Sequence, residues 1–205
     1  MMIKKNNFRH FKQIIQVSLL IFLVGANVVV ADAANKNPST HISFGQYTTT
    51  NGDYTVTGSR LSVSYVKPIT ELLSYFIKIS NGSATGTHSN DDDTETNIKS
   101  SHTNLGSGLQ VNFDLTDKDK YILFLGSGLL LQSYQYDFDY PNSETGETSG
   151  TGYGYNAFIG FKYRAAKNFI IIPSYNYEQV VITSEDGTSR NTTTAGTSLT
   201  LAIAF

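Results

Sequence analysis

The chain contains no cysteine among its 205 residues. Disulfide staples, thiolate metal sites and a cysteine nucleophile are therefore excluded in any compartment. Beyond residue 33 it also lacks a run of 18 consecutive apolar residues, so no spanning helix is available there. Helical periodicity is scarce, and no G-x-S-x-G elbow occurs. Positive charge is sparse outside the N-terminus. Lys4, Lys5, Arg9 and Lys12 precede an apolar stretch from Ile14 to Val30, with no acidic residue before Asp32. The stretch ends in Ala31-Asp32-Ala33, a small-x-small cleavage pattern, and predicts a secretory signal peptide over 1–33 and a mature domain over 34–205. An uncleaved anchor is the competing reading, but the run is short and carries two amides, Gln16 and Asn27. Cleavage removes four of 15 basic and one of 17 acidic residues, leaving 11 against 16, a net charge of −5. A mildly acidic chain of this size is one domain and makes a poor partner for nucleic acid.

What the mature chain does have is strand composition. Its thirteen Tyr and nine of the chain's 12 Phe are interleaved with Val, Ile, Thr and Gly. Three compact charged turns, Lys67-Pro68-Ile69-Thr70-Glu71, Thr116-Asp117-Lys118-Asp119-Lys120 and Arg164-Ala165-Ala166-Lys167-Asn168, are centred at 69, 118 and 166. Longer polar stretches alternate with them, at 51–53, 81–96, 141–151 and 184–193. Short turns alternating with long loops is how a transmembrane barrel distributes its two rims. The marks predict eight strands at 40–49, 54–66, 72–81, 98–115, 121–138, 152–163, 169–183 and 194–205. An even count puts both termini on the periplasmic side and the four longer loops outside.

Most strands alternate cleanly. Leu61, Val63 and Tyr65 oppose Arg60, Ser62 and Ser64, and Tyr75, Ile77 and Ile79 oppose Lys78 and Ser80. Leu109, Val111, Phe113 and Leu115 oppose Gln110, Asn112 and Asp114. Lys162 and Glu178 fall on the polar phase of the sixth and seventh strands. Tyr65, Tyr121, Tyr163, Phe169 and Phe205, near the turns, suit an interfacial girdle. The fifth strand breaks the rule: Leu123, Leu125, Leu129 and Leu131 are odd, whereas Tyr134, Tyr136, Phe138 and Tyr140 are even. Either a bulge changes phase near Gln132, or the lumen is apolar there.

The last strand sets Leu199, Leu201, Ile203 and Phe205 on one face against Ser198, Thr200, Ala202 and Ala204. This strand resembles the C-terminal strand of bacterial outer-membrane β-barrels, whose terminal Phe and alternating apolar positions are read by the barrel-assembly machinery. With the strand pattern, the resemblance extends over the whole mature chain to small eight-stranded barrels of the OmpX-like, opacity-type and OmpA-like kind. It implies an antiparallel up-and-down transmembrane barrel in the outer membrane of a Gram-negative bacterium. It also implies a monomer in contact with outer-membrane lipid and lipopolysaccharide, whose outer loops are available to a host or surface ligand.

The inward charges Arg60, Lys78, Asp114, Lys162 and Glu178 are the candidates for anything specific. Confined charges must pair or stay wet, so they predict a lumen polar network; a gate for small solutes is the functional alternative. His88-Ser89-Asn90 and Ser101-His102 invite a hydrolase reading, but adjacent residues on extended backbone point apart and make a poor nucleophile–base pair. The run Asp91-Asp92-Asp93-Thr94-Glu95 lacks the alternating ligands and Gly of a calcium loop. No catalytic, cofactor or metal site is expected. Three functions stand: a structural or surface-interaction barrel of the adhesion or resistance type, a narrow channel, and, with the least support, a lipid-modifying enzyme. A soluble secreted β-sandwich is the competing fold.

Overall fold

The computed structural model describes residues 38–51, 54–89, 94–116, 120–141, 144–166, 168–184 and 187–204. The expected signal peptide, Phe205, the aspartates 91–93, the centre of the 116–120 turn and Lys167 lie outside these. The described chain is eight strands: β1 (Ser39–Asn51), β2 (Tyr54–Pro68), β3 (Leu73–Ser89), β4 (Glu95–Asp114), β5 (Tyr121–Asp139), β6 (Thr145–Ala166), β7 (Phe169–Ser184) and β8 (Ser189–Ala204). Each pairs antiparallel with its neighbour, and β1 closes on β8 from Ser39↔Ala204 to Asn51↔Thr192. The sheet is a closed barrel, so no strand keeps an open edge along the paired length.

Register pairing carries the two-faced pattern round the ring. Large apolar side chains point out and stay exposed on every strand, among them Phe44, Val63, Ile79, Leu109, Leu129 and Leu201, with Leu129 at 75%. Exposed apolar surface continuous over eight strands is tolerable in lipid and not in water, which rules out the soluble sandwich. At the turn end Tyr121 stacks on Phe161 and Tyr163, with ring centroids 5.7 and 5.4 Å apart, and Lys120 lies over Tyr121. Aromatic rings beside a cation are the composition of a membrane interface. One outward residue departs from the pattern. Ile77 is only 7% exposed, and its register partner on β2 is Tyr65.

The strands are longer than their composition predicts. β3 runs to Ser89 rather than 81 and pairs through Ser89↔Glu95, and β6 starts at Thr145 rather than 152. Most of what reads as long outer loop is therefore paired wall, which rises beyond the apolar belt. Outside, this part meets water in place of lipid, and inward positions such as Gly82, Ala84 and Gly86 of β3 carry little or no side chain. Alternation therefore disappears, but the backbone ladder needs no apolar face to form. One true turn, between β7 and β8, uses Gly187 at φ 84°, donating to the Ser184 carbonyl at 2.9 Å.

The fifth strand holds one phase throughout. Its register with β4 is unbroken from Asn97↔Asp139 to Asp114↔Ile122, so no bulge occurs near Gln132 and the lumen is apolar there. What changes is the environment on either side of the wall. In the belt, Leu125 and Leu129 face lipid while Gly126 and Gly128 face in, Gly126 leaving room for the Phe158 ring and Gly128 for the β4 backbone at Ser107 and Gly108. Above it, Ser133, Gln135 and Asp137 lie on the outward phase while Tyr134 and Tyr136 are buried inside. A register shift does occur, between Arg164 and Ala166 at the β6–β7 end.

The lumen is layered, as the inward residues of β7 show. Ile170 and Ile172 come first, then Ser174, Asn176 and Glu178, then Val180 and Ile182. The outer apolar layer gathers Tyr47, Val56, Ile98, Leu130, Tyr134, Tyr136, Val180 and Ile182. The inner one holds Phe124, Ile172 and Ala202, backed by Phe158 and Ile170, and Phe76 meets Phe158 edge-on at 5.1 Å.

Candidate functional site

Between the two apolar layers lies a buried polar cluster. Arg60 on β2 is 8% exposed and Glu178 on β7 is 2%. Arg60 Nη1 donates to Glu178 Oε1 at 2.6 Å across the barrel, and Asn104 Nδ2 on β4 donates to Oε2 at 3.3 Å. Lys78 Nζ on β3 stands 4.0 Å from the same Oε1. One carboxylate thus faces two cations. Charges taken this far from water persist only with such partners.

His102 on β4 completes the cluster, and its tautomer follows from its neighbours. Arg60 Nη2 lies 3.1 Å from Nε2 and only donates, so Nε2 is the acceptor. Nδ1 then carries the proton and donates to Tyr47 Oη at 3.3 Å. The Tyr47 ring also lies 4.9 Å beneath the Arg60 guanidinium. Both ring nitrogens are therefore committed. Ser101 is exposed on the opposite face of β4, so Ser101-His102 forms no nucleophile–base pair. Among the described residues no three His, Asp or Glu side chains converge on a metal-sized space.

The five inward charges divide into two groups. Arg60, Lys78 and Glu178 meet in mid-lumen. Lys162 belongs to the turn end, where Nζ donates to Asn112 Oδ1 at 2.6 Å and lies 5.2 Å from the Phe124 ring centroid. Asp114 is exposed at the end of β4, within electrostatic reach of Lys162. Leu199, Leu201 and Ile203 face outward along β8. Asn104 and Tyr47 belong to the cluster although the sequence did not single them out, and His102, noted there only beside Ser101, joins it as a partner of Arg60 and Tyr47. His102 and Asn104 share the even phase of Gln110 and Asn112, which was the available signal. Tyr47 reads as a barrel-wall aromatic, and only the cross-barrel contact reveals it.

No protein-family model matches this chain, and no curated protein does. Solved structures do. Neisserial surface protein A is 15% identical over 82% of this chain and 97% of that one, with a TM-score of 0.54. The chain has the fold of the small outer-membrane β-barrels. Ail, the attachment invasion locus protein of Yersinia pestis, is 13% identical over 83% of this chain and 99% of its own, with a TM-score of 0.51. Ail has also been solved in complex with the heparin analogue sucrose octasulfate, at 12% identity over 82% of this chain and all of that one (100%), with a TM-score of 0.50. Likeness at these identities establishes architecture and leaves the chemistry of an outer-membrane barrel fold to its own residues.

Proposed function

We propose that the chain is exported by its N-terminal signal peptide and resides in the outer membrane as a monomer. There it acts through its outer rim, as a structural or surface-contact protein, and not by catalysis or conduction. The obstructed lumen carries this reading. Two apolar layers bracket the Arg60–Glu178 cluster, and eight strands enclose little more than side chains. The belt is in contact with outer-membrane lipid and lipopolysaccharide. The barrel-assembly machinery reads Leu199, Leu201 and Ile203 on β8 together with Phe205.

The rim selects the class of partner. Of the described residues at the hairpin end, Glu95, Asp137, Asp139, Glu144 and Glu147 stand against Lys99 and Arg190, and the sequence between the strands adds Asp53, Asp91, Asp92, Asp93, Glu185 and Asp186. Lys99 is spent on Asp139, 2.9 Å away, whose hydrogen bond and charge hold the ammonium above its ordinary pKa. An acidic rim repels sulfated polyanions such as the one bound to the Yersinia protein and favours basic surfaces. Reconstituted protein is expected to give no conductance steps in planar bilayers and no mass change in lipid A on expression. Stable open steps would make the narrow channel the correct reading. The immobilised protein should retain a basic polypeptide and not heparin, with retention falling as salt rises; retention of heparin refutes the rim assignment.

A further inference from the structure

A cavity of about 80 Å³ adjoins the mid-lumen cluster, lined by Arg60, Lys78 and Glu178 and by serine hydroxyls that include Ser62 and Ser64. The geometry points to this cavity as a binding site for one small monovalent anion, a halide, held by Lys78 with Arg60 and the β2 serines.

Charge balance is the first support. Arg60 and Lys78 are both cations, and Glu178 is the carboxylate they share. His41 and His102 add no negative charge in either protonation state, and Asp114 stands at the turn end with Lys162. The mid-lumen therefore carries one positive charge more than its carboxylate neutralises. Arg60 lies 2.6 Å from Oε1 and Asn104 Nδ2 donates to Oε2, while Lys78 comes no nearer to the carboxylate than 4.0 Å. An ammonium with a side chain 17% exposed needs a closer counter-charge than that.

Unused donors are the second support. Arg60 Nε is buried and has no acceptor among the described residues. A buried guanidinium N–H is costly to leave without an acceptor, so a partner of acceptor character is implied. The register sets the donors side by side on adjacent strands. Ser64 on β2 is the cross-strand partner of Lys78, and Ser62 lies between Ser64 and Arg60 on the same inward phase. Each serine brings an O–H free to turn toward an anion. Charge selects the class, and a cavity of this size, with room for several waters, takes a halide together with part of its hydration shell. A single excess charge suits a monovalent ion and not sulfate or phosphate.

The test is crystallographic and thermal, on the whole mature chain refolded in detergent. Bromide soaked into crystals should give an anomalous peak in contact with Lys78 Nζ and Ser64 Oγ. Exchanging gluconate for chloride at constant ionic strength should raise the unfolding midpoint in a saturating manner. Lys78→Met should abolish both responses, and Ser64→Ala should raise the half-saturating chloride concentration about tenfold. A cavity without bromide means that Lys78 is neutral and overturns the proposal, as does bromide retained in Lys78→Met. If Lys78→Met fails to give a barrel on gels, the wild-type bromide map and the Ser64→Ala titration decide alone.

Discussion

Glu178 is the residue on which the interior depends. Removing it strands Arg60 at 8% exposure, with its guanidinium beside a histidine nitrogen and a tyrosine ring. Glu178→Ala should cost about 3–5 kcal/mol in urea unfolding from lipid vesicles, because a cation is left buried without its partner. A loss below about 1 kcal/mol would show that water solvates the mid-lumen well enough to replace a carboxylate. Packing is equally local. A Cβ at Gly126 would stand 2.1 Å from the Phe158 ring, so Gly126→Val should destabilise by about 1–3 kcal/mol through overpacking. The charged residues were legible from phase alone, since alternation names the inward face. The partners were not. Alternation assigns a side of the wall, whereas Arg60 meets Glu178 from 118 residues away across the barrel.

At the scale of elements, what could be read from sequence was the belt, because only there do lipid and lumen impose opposite demands on alternate residues. The apparent phase change in β5 arose where water replaces lipid outside and aromatic packing replaces glycine inside, with no change in the strand itself. Polar extensions such as Gly82–Ser89 of β3 read as loop for the same reason. The belt assignment is testable on β2. Val63 is half exposed on the outer face and Ser64 is its inward neighbour. Val63→Arg should cost about 2–4 kcal/mol in vesicle refolding, and Ser64→Thr much less; equal costs would contradict the face assignment. Phe205→Ala should lower outer-membrane levels in cells while the purified protein still refolds. One apolar side chain supplies no more than about 1.5–3 kcal/mol by burial. Normal surface levels would reduce that aromatic to packing.

For the whole molecule, closure is the property that matters. A ring with no free ladder gives detergent no edge at which to begin, so unboiled protein should migrate differently from boiled protein on gels. Identical mobility would mean that the ring does not close. The seam has a further consequence, for speed and not strength. Seven of the eight pairings join strands consecutive in the chain, and each can zip outward from its own hairpin. The eighth brings Ser43 against Thr200, 157 positions apart, and cannot begin until the other strands have curled the ends together. Loop-closure entropy therefore falls almost wholly on one late event. Gly45 sits on that seam, where a Cβ would lie 2.4 Å from the Thr197 carbonyl. A side chain there should delay the last kinetic phase of refolding while leaving the earlier formation of hairpins at its normal rate.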